Sequence, residues 1–332
     1  MNIADLLRDA LVARFADRWV IQEDGNVVRM IHRHPVVPSP RRLHPDPHQL
    51  VGRIRCSMRR AGLPTAAHLL PVRWNRDTDL TISAVQALDP WLKSCQPRVW
   101  REGFIAQPVV RFTGERDEGG RLSDGFLTSF VNVSHVQRID HPARLVDLLD
   151  HWLSALSSAG IHAGRLSIHG SLQIWTRSPV AGITLFIDCD GRGLGDVVLL
   201  WNEDQPQYMA ADIGSGLERL AWYLSGTTWA RAAFGDLADE HDTDLLDAVR
   251  TATLLLMAGI RPAHRGPGAA IRAVARRIQP RLARTGLSRI VRAQAAHWRR
   301  LGVTGPGWPH LTAQLEDEVL RPRHITATGA RS

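Results

Sequence analysis

Along this 332-residue chain the spacing of apolar positions changes several times, and each change predicts an element. MNIADLLRDALVARF sets apolar residues against Asp5, Arg8, Asp9 and Arg14 at regular intervals, which predicts an amphipathic helix over about 3–18. WVIQEDGNVVRMIH then predicts a hairpin, with Asp24-Gly25-Asn26 as its turn. HPVVPSPRRLHPDPHQL, with five prolines, reads as a linker. Its His44, Asp46 and His48 are metal-ligand types, but the interleaved prolines and the lack of a second ligand group favour a plain loop. A helix is expected from Gln49 to about Arg60. GFIAQPVVRF (103–112), FLTSFVNVSHV (126–136), ITLFID (183–188) and DVVLLWN (196–202) are short apolar runs bounded by Gly, Pro or charge, as buried strands are. The first two flank the polar loop TGERDEGGRLSDG and predict an antiparallel pair. From about Leu245 onward the pattern is helical.

These changes divide the chain into an N-terminal extension of helix, hairpin and linker (1–45), an antiparallel α+β part (46–235) and a basic all-helical part (236–332). No run reaches the roughly 18 apolar residues needed to span a bilayer, so no membrane partner is expected. Cys56, Cys95 and Cys189 are too scattered for a disulfide framework or a zinc pair, and no metal site is expected. A cytoplasmic protein is the expectation.

Charge adds one feature. Of 41 basic residues only Lys93 is a lysine, and 261–300 holds eleven arginines with no acid. A surface normally mixes both signs, so this segment calls for a polyanion such as nucleic acid, or for acids elsewhere in the chain, such as DLADEHDTD (236–244). Arg272 and Arg276 share a helix face beside the stripe Ile271, Val274, Ala275 and Ile278, and are the candidates for phosphate contact.

The stretch DIGSGLERLAWYLSG (212–226) places an acid, a Gly-Ser-Gly turn and a Glu-Arg pair ahead of an apolar helix. Arg219 could simply pair with Glu218 or Asp212. Arg111, at the end of a buried strand, could likewise be a surface ion-pair partner. Together with the glycines, the two arginines fit a nucleoside triphosphate site, because guanidinium groups grip phosphate oxygens and stack on purines. Asp212 would then meet a substrate ammonium group.

DIGSGLERL resembles the third signature motif of class II aminoacyl-tRNA synthetases, and most of all the alanyl-tRNA synthetase family. DLTISAVQALDPWL (79–92) resembles the family's motif 1, and FIAQPVVRFTG with LTSFVNVSHV (104–136) its motif 2. The segment 175–202 resembles its amino-acid pocket, and 246–278 the start of its tRNA-recognising helices. The resemblance covers about residues 50 to 325. It implies a class II antiparallel sheet flanked by helices, followed by a helical tRNA-recognition domain. It implies ATP and Mg²⁺, an amino acid (alanine) activated as its adenylate, and transfer to tRNA. Arg111 would hold the α-phosphate and the carboxylate; Arg219 would lie over adenine near Gly216. Asp212 would take the ammonium group, Gly214 would leave room for a small side chain, and Trp201 and Asn202 would end the pocket strand. Adenylate formation of this kind needs no His–acid pair. Gly125-Phe126 stand where relatives carry Arg-His, and Asp188 is the nearest match to a downstream acid. The family's editing and C-terminal regions have no counterpart in these 332 residues, so a compact paralogue is expected. Transfer to a carrier protein or small molecule, and a non-catalytic tRNA- or protein-binding role, remain open alternatives.

Overall fold

The computed structural model describes residues 2–36, 46–73, 78–118, 120–284 and 286–321. Eight strands form one antiparallel sheet: β1 (Trp19–Asp24), β2 (Val27–His32), β3 (Gly103–Val110), β4 (Ser129–Ile139), β5 (Leu166–Arg177), β6 (Val180–Cys189), β7 (Arg192–Asn202) and β8 (Met209–Gly216). Their order is β1-β2-β5-β6-β7-β8-β4-β3, with every neighbouring pair antiparallel. The helices are α1 (Ile3–Phe15), α2 (Pro47–Arg60), α3 (Asp89–Ser94), α4 (Pro142–Ala159), α5 (Leu217–Ser225), α6 (Trp229–Phe234), α7 (Thr243–Met257), α8 (Pro267–Ile278), α9 (Ser288–Arg300) and α10 (Trp308–Leu320). None is long and apolar enough to cross a membrane.

Two-residue alternation gives the sheet two different faces. Ile168, Leu185, Val197, Ile213 and Val133 point to one face and share a core with Leu149, Trp152 and Leu156 of α4 and with Leu7 and Leu11 of α1. On the opposite face, a smaller cluster that includes Ala84, Leu88, Leu92, Leu200 and Ala210 covers one end only. The rest of that face carries the polar side chains discussed below.

The N-terminal hairpin is continuous with this sheet. β2 pairs with β5 over Val27–Ile31, and β1 forms the edge. Of the three metal-ligand types in the linker, which reads in sequence as a plain loop, His44 lies outside the described residues. Asp46 accepts from the His48 backbone N–H at 2.9 Å, capping α2.

Gly214-Ser215-Gly216 is not a turn. These residues are the last of β8, and α5 begins at the next one. Close approach explains two glycines here. A Cβ on Gly214 would run into the Ser134 hydroxyl, and one on Gly195 into the Gly214 carbonyl. Space at Gly214 is therefore taken up by strand packing.

Candidate active site

A cavity of about 410 Å³ opens on the polar face, over the ends of β4, β8 and β7 and the start of α5. Arg111 follows the last residue of β3, and its backbone N–H donates to Thr128 O at 2.7 Å. Its Nε donates to the Ile82 carbonyl, and its guanidinium lies 5.2 Å from the centre of the Phe130 ring. Arg219, in the first turn of α5, reaches the same cavity. Its Nε donates to Gly125 O at 2.9 Å, and its guanidinium lies 5.0 Å from the Phe126 ring centre. The departure at Gly125-Phe126 thus becomes the seat of Arg219.

Glu218 does not pair with its neighbour. Helical geometry turns it inward, where it binds Arg250 of α7 and accepts from the Val131 N–H at 3.2 Å. Arg219 is left with no carboxylate within ion-pair distance among the described residues.

Two acids lie beneath the arginines. Asp212 is 7% exposed, and its Oδ1 has no hydrogen-bond partner among the described residues. Burial, and then the negative charge of Asp196, push its carboxyl up to about 7. Asp196 is also pushed up by burial, while Arg111 and Arg219 pull it down. The buried Ser215 hydroxyl has no hydrogen-bond partner among the described residues, while the Ser134 hydroxyl stands close enough to Asp212 to pull its carboxyl down somewhat. Partnerless buried polar atoms are uncommon in a finished core and mark a place where a ligand can bond.

Asp196 escapes a reading of the sequence because it sits at the head of an apolar run, where it looks like a strand boundary. An acid inside LGDVVLL is the available signal. β5 escapes as well, and with it His169, whose Nε2 lies 2.9 Å from Asp188 Oδ2 at the cavity rim. The cavity rim therefore carries a His–acid pair that adenylate formation does not require.

Trp201 and Asn202 are not brought to the cavity. They end β7 at its far side, and the lining comes from Gly193 to Asp196. Asn202 Nδ2 donates to Leu92 O at 2.9 Å, and its Oδ1 accepts from the backbone N–H groups of Asp204 (3.1 Å) and Gln205 (3.0 Å). Trp201 is buried opposite Ala181 and Met209. Gly214 and Gly216 do line the cavity.

The arginine-rich helices find acids elsewhere in the chain. Arg277 reaches Asp244 (3.2 Å) and Asp247 (3.0 Å); Arg281 reaches Asp242 (2.8 Å) and Asp244 (3.4 Å). Arg289 pairs with Glu240, and Arg300 with Asp46. Arg272 lies 3.5 Å from Glu318 and 3.0 Å from His264 Nε2. Arg276 is exposed on α8 and pairs with no described residue. The run at 236–244 supplies three of these partners, so much of the one-sided charge is neutralised internally.

Set against known proteins, the chain matches no protein-family model and no curated sequence.

Proposed function

We propose that this chain activates an amino acid as its adenylate, at the expense of ATP, and passes the aminoacyl group to tRNA. The observation that carries the reading is the convergence of Arg111, Arg219 and Asp212 on one cavity. In it, two guanidinium groups with no carboxylate within ion-pair distance among the described residues face a buried carboxylate, one oxygen of which has no hydrogen-bond partner among them. Those are the groups that triphosphate and ammonium would satisfy. A volume of about 410 Å³ lies within the usual range for small-molecule sites.

In this reading Asp212 holds the ammonium group, and Arg111 orients the carboxylate against the α-phosphorus. The carboxylate oxygen attacks, the bond to the β-phosphate breaks, and pyrophosphate leaves. Arg111 stabilises the charge that builds on the α-phosphoryl oxygens. Phe130 and Phe126, each under a guanidinium, hold the arginines flat and keep water from one side of each. The carboxylate is already a nucleophile, so this half of the reaction needs no general base.

Mg²⁺ would screen the phosphates. No three His, Cys, Asp or Glu side chains cluster to hold a metal among the described residues. The ion would be held chiefly by the nucleotide, as Mg²⁺ commonly is, with Asp196, whose carboxyl feels the charge of both Arg111 and Arg219, as a carboxylate it could meet.

Incubation with ATP and each amino acid in turn, followed by hydroxylamine, tests the reading. An activated acyl group yields a hydroxamate, and the resemblance points to alanine as the substrate. Absence of hydroxamate with every amino acid would contradict it.

A further inference from the structure

Much of the arginine-rich segment finds acids within the chain, but the arginines of α2 do not. Its apolar residues Leu50, Val51, Ile54 and Met58 are buried, and they join the core on the α4 side of the sheet, behind the cavity. The outer face carries Gly52, Arg53, Cys56, Arg59 and Arg60, all exposed, with Arg55 half-buried at its border. Among the described residues none of these four arginines forms an ion pair. Arg59 donates to the Thr65 hydroxyl at 3.4 Å, and the first turn of the helix holds no acid.

At about 3.6 residues per turn, Gly52 and Cys56 fall on one line along the outer face. Arg55 and Arg59 flank that line on one side, Arg53 and Arg60 on the other. Each flank therefore stacks like charges one or two turns apart, which weakens a helix. Burial and the charge of Arg59 pull the Arg55 guanidinium down. The line between the flanks is clear. A Cβ on Gly52 would meet nothing within 4 Å, so packing inside the chain does not require glycine there. Glycine is also a poor helix former, so local structure does not ask for it either.

Two rows of cations with a smooth line between them match a helix with carboxylates on both flanks and small residues at its centre. We propose that the outer face of α2 docks an acidic helix of a partner protein. Small residues along the line let two helix axes approach closely, and guanidinium groups on either flank then reach carboxylates, which they bind in a bidentate fork. A second copy of this chain does not fit, because arginine would meet arginine across the contact. A bilayer surface does not fit either, since the face offers no large apolar side chain to insert. The phosphate backbone of RNA is held by cations wherever they stand and gains nothing from a clear line. Because α2 lies behind the sheet and the cavity opens on its other face, this docking does not depend on what the cavity binds.

The test uses the full chain and a labelled helical peptide matched to α2 in length, with Ala along one line and Glu on both flanks. An isomer of the same composition spreads its Glu residues around the helix. Wild type binds the first peptide more tightly than the isomer, and bound peptide slows alkylation of Cys56, the exposed thiol of the three. Changing Arg53 and Arg60 together to Gln weakens binding about 5-fold, the loss of two exposed ion pairs. Gly52→Gln weakens it at least as much with no change of charge, while circular dichroism shows the helix intact. The same Gly52→Gln protein binds a blunt RNA duplex as wild type does. Equal binding of both peptides, an unchanged Gly52→Gln, or Cys56 left open to alkylation would overturn the proposal. So would an RNA duplex that binds more tightly than the peptide and protects Cys56, which would make the face a nucleic-acid surface.

Discussion

The cavity and the helical region both bury charge, but they treat it in opposite ways. Behind the sheet, Arg250 is 1% exposed and saturated. It binds Glu218, donates from Nε to Ser129 O at 3.1 Å, lies 2.9 Å from His297 Nε2, and stacks 4.8 Å from the Trp298 ring centre. Asp247 is equally complete, accepting from Thr128 N–H (2.7 Å), the Thr128 hydroxyl (2.6 Å) and Arg277 (3.0 Å). In the cavity, by contrast, Asp212 and Ser215 keep atoms without a hydrogen-bond partner among the described residues, and Arg111 and Arg219 donate to backbone carbonyls and stack on rings with no carboxylate within ion-pair distance among those residues. Saturated buried charge holds a structure together; unsaturated buried charge waits for a ligand. The two regions are connected, since Asp247 and Arg250 anchor Thr128 and Ser129, and Phe130 under Arg111 comes next.

Breaking the saturated set should cost most. Arg250→Met leaves Glu218 as an unpaired buried carboxylate and should lower stability by about 3–5 kcal/mol in chemical denaturation. Glu218 is pushed up by burial and pulled down by Arg250, so the loss should shrink at acidic pH, where that carboxyl is protonated. A loss below about 1 kcal/mol would mean that the pair is not structural.

Asp212→Asn keeps the shape and removes the charge, at a cost of about 1.5–3 kcal/mol in binding of the amino-acid ammonium group, with ATP affinity nearly unchanged. An ammonium group would be held by the ionised form, and burial with the charge of Asp196 pushes the carboxyl up to about 7. In wild type, amino-acid affinity should therefore fall as pH drops below about 7, approaching tenfold per unit, and the Asp212→Asn variant should lack that dependence. Equal weakening of both ligands would make Asp212 part of the frame.

The smallest effect belongs to the rim. Arg289 and Glu240 are both largely exposed, and Arg289→Gln should change stability by about 1 kcal/mol or less. A larger loss would erase the distinction between surface pairs and the buried set.

How much of this is legible in the sequence follows from local pattern. The α+β class, the β3–β4 pair and the convergence of Arg111, Asp212 and Arg219 can be read, because the strands are marked by apolar runs and the three side chains sit where such runs meet polar loops. What fails depends on distant partners. The fate of Glu218 is decided by Arg250, thirty-two positions away, and nothing in GLERL states it. The arginine-rich helices look one-sided because their acids come from other segments. The N-terminal hairpin looks separate because its partner, β5, has a weak pattern: LSIHGSLQIW mixes both faces with a bulge between Ser171 and Trp175. Asn202 looks like a pocket residue because strand polarity, which decides which end of β7 meets the cavity, cannot be read from a single strand.

We propose that the unsaturated charges are a site for ATP and an amino acid. Pyrophosphate exchange by wild type and Arg111→Ala, side by side, tests it most directly. Wild type should show amino-acid-dependent exchange, and the variant a loss on the order of 100-fold or more with the fold intact. Exchange at the wild-type rate in Arg111→Ala, or none in a folded wild-type protein with any amino acid, would contradict it.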